Sequence, residues 1–214
     1  LFKLGEKANN FRTLIWQRLH GVDVVIQPNL TSTDLELRAI FQDFRFRRAL
    51  SIAINRDEIN TVVYFGKATP RQLHVIPSSV FYEEAYARAF VDYDPVTARR
   101  LLDDMGLVDG DGDGIREKPS GEPLSLTLEW MDLETPKGTT MELVTEYWRD
   151  VGIQLNTKQI SSNLQGTRAR GNMMEMTLWH ADRTSDILFP SEPLWFVPMN
   201  KGLMECHWVL WSEW

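Results

Sequence analysis

Residues 43–59 constrain the fold of this chain more than any other stretch. Phe46, Ala49, Leu50, Ala53 and Ile54 fall at i, i+3, i+4, i+7 and i+8, which is one apolar stripe on a helix. Asp43 is placed to cap the start, because its carboxylate can accept from the free N–H groups of the first turn. Arg45, Arg47 and Arg48 lie off the stripe and read as a solvated basic face. Asn55 followed by Glu58 has the spacing of a capping box. It predicts a second helix through Ile59, Val62 and Val63 that ends near Gly66. A helix pair with a single buried stripe needs a large apolar surface to lie on, and the rest of the chain must supply it.

The chain is long enough to do so. Its 214 residues fit one large domain, 1–214, with 1–20 and 199–214 expected to be irregular or close to a hinge. A net charge of −7 argues against a nucleic-acid surface, which needs clustered cations. The single cysteine, Cys206, rules out an intrachain disulfide. No apolar run reaches membrane-spanning length, and no signal peptide is recognisable.

Taken in order, residues 1–20 read as a lead-in with at most a short strand around 12–16. Residues 22–26 are dense in β-branched side chains and predict a buried strand, ended by Pro28 and Asn29. Thr33 or Asp34 can cap a short helix through Leu37 and Ile40. Residues 67–93 read as loop, with a short apolar piece at 73–76. Asp94 and Pro95 then form an N-cap with proline at the first helical position. Ala98, Leu101, Leu102 and Met105 make a stripe, Gly106 supplies a left-handed stop, and Leu107 folds back. Leu124, Leu126, Leu128 and Trp130 alternate with polar residues, the pattern of a half-buried strand. Met141, Val144, Trp148 and Val151 form a helical stripe stopped by Gly152, and residues 153–160 resume a strand. Ser161 or Ser162 can cap a helix towards Gly171. Met174, Met176 and Leu178 alternate along a last strand. Strands alternating with helices indicate an α/β fold, a mixed β-sheet flanked by helices. Trp208, Trp211 and Trp214, at i, i+3 and i+6, offer a helical stripe in the tail.

The loop at 109–115 alternates Asp and Gly. Asp109, Asp111, Asp113 and Gly114 match the first half of an EF-hand calcium loop, but position 12 is Ser120, which cannot be the bidentate ligand. The favoured reading is a polar turn, since Asp and Gly tolerate positive φ, and no metal site is assigned.

Residues 43–59 also carry a family resemblance. They are similar to the segment D-x-R-x-R-x-A-[LI]-x-x-A-I-[DN]-R-x-x-I of extracytoplasmic solute-binding proteins of ABC importers, the peptide/oligopeptide-binding family 5. The resemblance extends over roughly 20–198. It implies one lobe, the C-terminal one, of a periplasmic-binding-protein-like fold (class II, cluster C). It also implies a missing N-terminal lobe of the same chain, an extracytoplasmic location, lipoprotein anchoring or periplasmic release, and a membrane permease as partner. The solute implied is an oligopeptide or an oligosaccharide, without a cofactor and without bond chemistry.

Trp179, His180, Ala181, Asp182 and Arg183 follow the last strand. A strand end running into a loop is where open α/β sheets place ligand contacts. The segment is similar to the family's W-x-[AG]-D-x-x-[DS] stretch, whose Asp pairs with the ligand's α-amino group in peptide-binding members. By that resemblance Asp182 is the amine anchor, with Trp179, His180 and Arg183 as neighbours in the ligand site. From the residues alone, Asp182 can equally be a surface carboxylate paired with Arg183 or capping a turn. Arg183, Thr184 and Ser185 depart from the aromatic and Asn/Asp-rich run common in peptide binders. Tryptophans suit sugar faces, yet Trp130 and Trp148 at strand and helix spacing read as core; Trp179 and Trp195 stay open. Catalytic signatures do not emerge: the four histidines are scattered, Cys206 and His207 are merely adjacent, and none of H-E-x-x-H, G-x-S-x-G or a P-loop is present; a glycan-active enzyme, with two carboxylates flanking an aromatic cleft, is the lesser alternative, and no pair among the 30 acidic residues stands out for it.

Overall fold

The computed structural model describes residues 2–14, 18–132, 135–199 and 207–213. Four strands form one mixed sheet: β1 (Val25–Pro28), β2 (Ser125–Trp130), β3 (Gln154–Gln159) and β4 (Met176–Trp179), in the order β1-β4-β2-β3. β2 runs parallel to both β3 and β4, and β1 lies antiparallel to β4. Parallel neighbours need crossovers. The helix α7 (Lys137–Asp150) carries the chain from β2 to β3, and α8 (Ser162–Arg170) carries it from β3 to β4.

The organising stretch forms α3 (Phe44–Ile52) and α4 (Arg56–Tyr64), preceded by α1 (Phe2–Asn9) and α2 (Leu35–Gln42). The Asp43 carboxylate accepts from the Arg45 N–H at 2.8 Å, and the Asn55 side chain accepts from the Glu58 N–H at 3.1 Å. Phe46, Ala49, Leu50 and Ala53 are buried, while Ile54 is half-buried. The stripe packs against α6 (Pro95–Asp103) and onto α7, where the Trp148 indole N–H donates to the Leu50 carbonyl at 3.1 Å. Trp130 and Trp148 are both core.

Two helix ends repeat one device. Gly106 (φ 77°) and Gly152 (φ 86°) are left-handed, and the next residue's N–H returns to the helix: Leu107 to the Leu102 carbonyl at 3.1 Å, Ile153 to the Trp148 carbonyl at 2.9 Å. Both apolar followers are buried, as the Schellman pattern requires. Arg116, itself buried, ties these ends together. Its guanidinium donates to the Val151 carbonyl at 2.7 Å, to Asp103 at 2.6 Å and to the Leu107 carbonyl.

Several expectations need correction. The lead-in contains the helix α1, while residues 11–14 are irregular and the rest of the predicted 12–16 strand lies outside the described residues. The strand expected at 22–26 pairs at 25–28 instead. It is an edge strand, and only Gln27 in it is buried. The region read as loop holds the short helix α5 (Glu84–Arg88). β4 does not alternate: all four residues are buried, because β1 and β2 flank it and both its faces are covered. Glu129 in β2 is buried too, paired with Arg168 at 2.8 Å and Lys158 at 3.8 Å. In the tail, residues 211–213 form a single 3₁₀ turn with Trp211 exposed, and Trp214 and Cys206 lie outside the described residues.

Candidate functional site

Of the predicted ligand residues, Trp179 ends β4, and His180, Asp182 and Arg183 follow on a loop that is locked from both sides. Ala181 pairs with the segment before β1: its N–H donates to the Val22 carbonyl at 3.0 Å, and its carbonyl accepts from Gly21 at 2.9 Å. Gly21 has to be glycine, since a Cβ there would lie 1.9 Å from the His74 carbonyl oxygen. The Thr184 hydroxyl donates back to the Ala181 carbonyl at 3.0 Å, and the Trp195 indole N–H donates to the Asp182 carbonyl at 2.7 Å. The main chain around Asp182 is therefore held by four hydrogen bonds from three places, the 21–22 segment, Thr184 and Trp195, while its side chain stays partly exposed.

Sequence neighbours end up with different surroundings. Trp179 and His180 are buried and stacked, with ring centroids 4.7 Å apart, and His180 stacks in turn on His20 at 4.6 Å. The ammonium of buried Lys137 lies 5.4 Å from the Trp179 ring centroid. Asp182 and Arg183 lie at the surface, with side chains 32% and 35% exposed. Their charged atoms are 3.9 Å apart, and Arg183 also pairs closely with Glu192.

A hollow of about 700 Å³ opens beside β1, walled by the strand, α3, α4, α7 and the loop after α4. Its charged lining is mainly cationic: Arg18, Arg47, Arg56, Lys67 and Arg71 against Asp23. Burial holds the Arg56 guanidinium at about 10, and it donates to the Ser51 carbonyl at 2.8 Å. Burial, with Asp23 nearby, pushes the Tyr64 phenol up to about 12. None of Trp179, His180, Asp182 or Arg183 lines this hollow, but lining residues touch their segment: His20 stacks on His180, and the Val22 carbonyl accepts from the Ala181 N–H. The sequence carried no signal for the hollow, whose walls come from three separated stretches, 18–28, 47–77 and 140–148.

The Asp-rich loop behaves as a turn. The carboxylates of Asp109, Asp111 and Asp113 accept from N–H groups of the same loop, at 2.7 to 3.0 Å. Asp109, Asp111 and Glu117 each bring a carboxylate oxygen within 4.8 Å of the others.

The family model for bacterial extracellular solute-binding proteins, family 5 Middle, matches residues 8–197. The chain belongs to this family. An oligopeptide-binding protein, OppA, of known structure superposes with a TM-score of 0.87 at 31% identity, over 98% of this chain and 32% of that one. The oligopeptide-binding protein AppA of Bacillus subtilis is 27% identical over 157 residues, 73% of this chain and 27% of its own length. The glutathione-binding protein GsiB of Salmonella typhi is 33% identical over 93 residues, 42% of this chain and 18% of its own length. The family 5 chain described here thus spans about a third or less of the proteins it matches. Its relatives are solute-binding transport proteins, and among the described residues no helix is long and apolar enough to cross a membrane.

Proposed function

We propose that the 214 residues form one domain, the C-terminal lobe of a family 5 binding protein, and serve as one wall of a two-lobed trap. The trap captures a peptide-like solute outside the cytoplasm, closes about a hinge and delivers the solute to a membrane permease without making or breaking a bond. One observation carries the reading. Asp182 is a partly exposed carboxylate at the C-terminal end of a parallel strand, on a loop fixed by hydrogen bonds on both sides. A carboxylate held this way can receive an ammonium group with direction as well as charge.

An oligosaccharide is the second reading, favoured by a Thermotoga maritima relative, 25% identical, whose structure is described as mannohexaose-bound. The indoles weigh against it. Trp179 and Trp195 are 9% and 2% exposed, so neither offers a face to a sugar ring. Isothermal titration tests both readings. The 214-residue chain alone should bind peptides and oligosaccharides weakly or not at all, and tight binding by it would overturn the half-cleft view. In the full-length protein, Asp182→Asn should cost about tenfold or more in peptide affinity, the loss expected of a charge-assisted hydrogen bond. Unchanged affinity would remove Asp182 from the site.

A further inference from the structure

His74 sits where three segments meet, and one hydrogen bond fixes its protonation state. Its Nε2 accepts the Glu83 N–H at 2.8 Å. A main-chain N–H can only donate, so that nitrogen must keep its lone pair and the imidazole must be neutral. The ring also packs against Tyr82 and Tyr86, with centroids 5.2 and 6.1 Å away, and meets Phe196 edge-on at 6.5 Å. The segment that follows His74 is tied to the loop after β4. The Ile76 N–H donates to the Thr184 carbonyl at 3.2 Å, and the Val80 N–H donates to the Asp186 carboxylate at 3.2 Å. The His74 carbonyl abuts Gly21, whose N–H donates to the Ala181 carbonyl, and Phe196 follows Trp195, whose indole N–H donates to the Asp182 carbonyl. Few charges face the ring. Glu83 favours the imidazolium and Arg71 opposes it, while Phe196 and Gly21 bring no charge; His20, beside Gly21, is stacked on His180. Burial, aided by Arg71 against Glu83, holds His74 below the ordinary histidine value.

We propose that neutral His74 is a positioning residue for the loop that carries Asp182, and that protonation of its Nε2 releases that loop. Protonation sets N–H against N–H, so the Glu83 amide loses its acceptor and the turn leading into α5 loses its hold on the ring. Ile76 and Val80 then no longer fix Thr184 and Asp186. The main chain around Asp182 is left to the 21–22 segment, the Thr184 hydroxyl and Trp195. The consequence for a solute rests on the reading of Asp182 as the amine anchor: the site grips near neutral pH and loosens in acid.

Hydrogen exchange of the full-length protein tests this without any solute, read by mass spectrometry at pH 7.5 and pH 5.0 and corrected for the intrinsic rate at each pH. That window brackets the ordinary histidine value of about 6.5 and stays above ordinary carboxylate values of about 4. In the wild type, peptides covering 76–86 and 182–190 should lose protection together by about tenfold at the lower pH, the order expected when one main-chain donor is left without its acceptor. His74→Gln, whose side-chain oxygen can accept the same N–H at either pH, should keep its protection. Wild-type protection that is equal at both pH values, or that falls in 76–86 alone, overturns the proposal. So does an acid loss that persists in His74→Gln and disappears in His20→Phe, which would assign it to the stack on His180. Titration with tri-alanine reads the consequence: the wild type should bind about tenfold more weakly at pH 5.0, and His74→Gln equally at both. Coupled exchange with pH-independent binding overturns the link to the solute. If Asp182→Asn binds as the wild type does, the anchor reading falls, while exchange still decides the role of His74.

Discussion

At the scale of single residues, Arg116 joins segments far apart in the chain. It is 13 residues from Asp103 and 35 from Val151, yet bonds both, along with the Leu107 carbonyl. A guanidinium at two helix C-termini opposes the negative ends of both dipoles and satisfies carbonyls that the helices leave open. Removing it strands buried acceptors. Arg116→Met is expected to cost about 3 kcal/mol, read as a lower urea midpoint at unchanged slope. A loss of a few tenths would mean that water replaces the guanidinium. Nothing in the sequence marks Arg116, because its partners are distant and its own surroundings are a polar loop. Asp182 differs: a local motif made it legible as a candidate. Whether the side chains around it face outward was decided by packing, which buried Trp179 and His180 and left Asp182 and Arg183 at the surface.

At the scale of elements, local chemistry wrote most boundaries. Asp34, Asp43, Asn55, Asp94 and Ser161 each cap the helix that their position predicts, because an N-cap needs only a side chain and the next two or three N–H groups. Asn55→Ala should cost about 1 kcal/mol while Asn55→Ser stays close to wild type, measured by chemical denaturation. Equal losses in both would mean that the Asn55 amide, which also donates to the Glu58 carboxylate at 3.3 Å, matters more than the cap. Strands were less legible. The alternation in β4 was real in sequence, but Thr177, which it marks as outward, is covered by α8, where Gln165 donates to its hydroxyl at 3.1 Å. The helix α1 escaped notice because it has Gly5 in its interior and no acidic first turn.

At the scale of the whole molecule, the tail docks on the turn after β1. The Leu30 N–H donates to the His207 carbonyl at 2.8 Å, and that turn is held to the start of β4 by Asn29, which donates to the Met174 carbonyl at 2.9 Å. Burial depresses His207 to about 3, so the folded protein keeps its imidazole neutral. An unfolded chain takes up a proton there as pH falls below about 6.5, while the folded one declines it. Stability from this group is complete above that pH and is lost between about 6.5 and about 3, at up to about 1.4 kcal/mol per pH unit. His207→Gln should flatten the acid limb of the melting-temperature profile. An unchanged acid limb would place the acid sensitivity elsewhere, with the helix-capping carboxylates of Asp43 and Asp94, both held below the usual carboxylate range by the hydrogen bonds they accept, the groups to try next.

The sequence by itself determined the helices α2 to α4 and α6 to α8, most of their caps, the two left-handed stops and the family, since each is encoded within a few neighbouring residues. Tertiary structure alone decided the order of the strands, the burial of Glu129, the clasp of Arg116 and the pairing of Arg183 with Glu192. Those depend on which distant segments the folded sheet brings together, and spacing along a chain carries no record of distance across it.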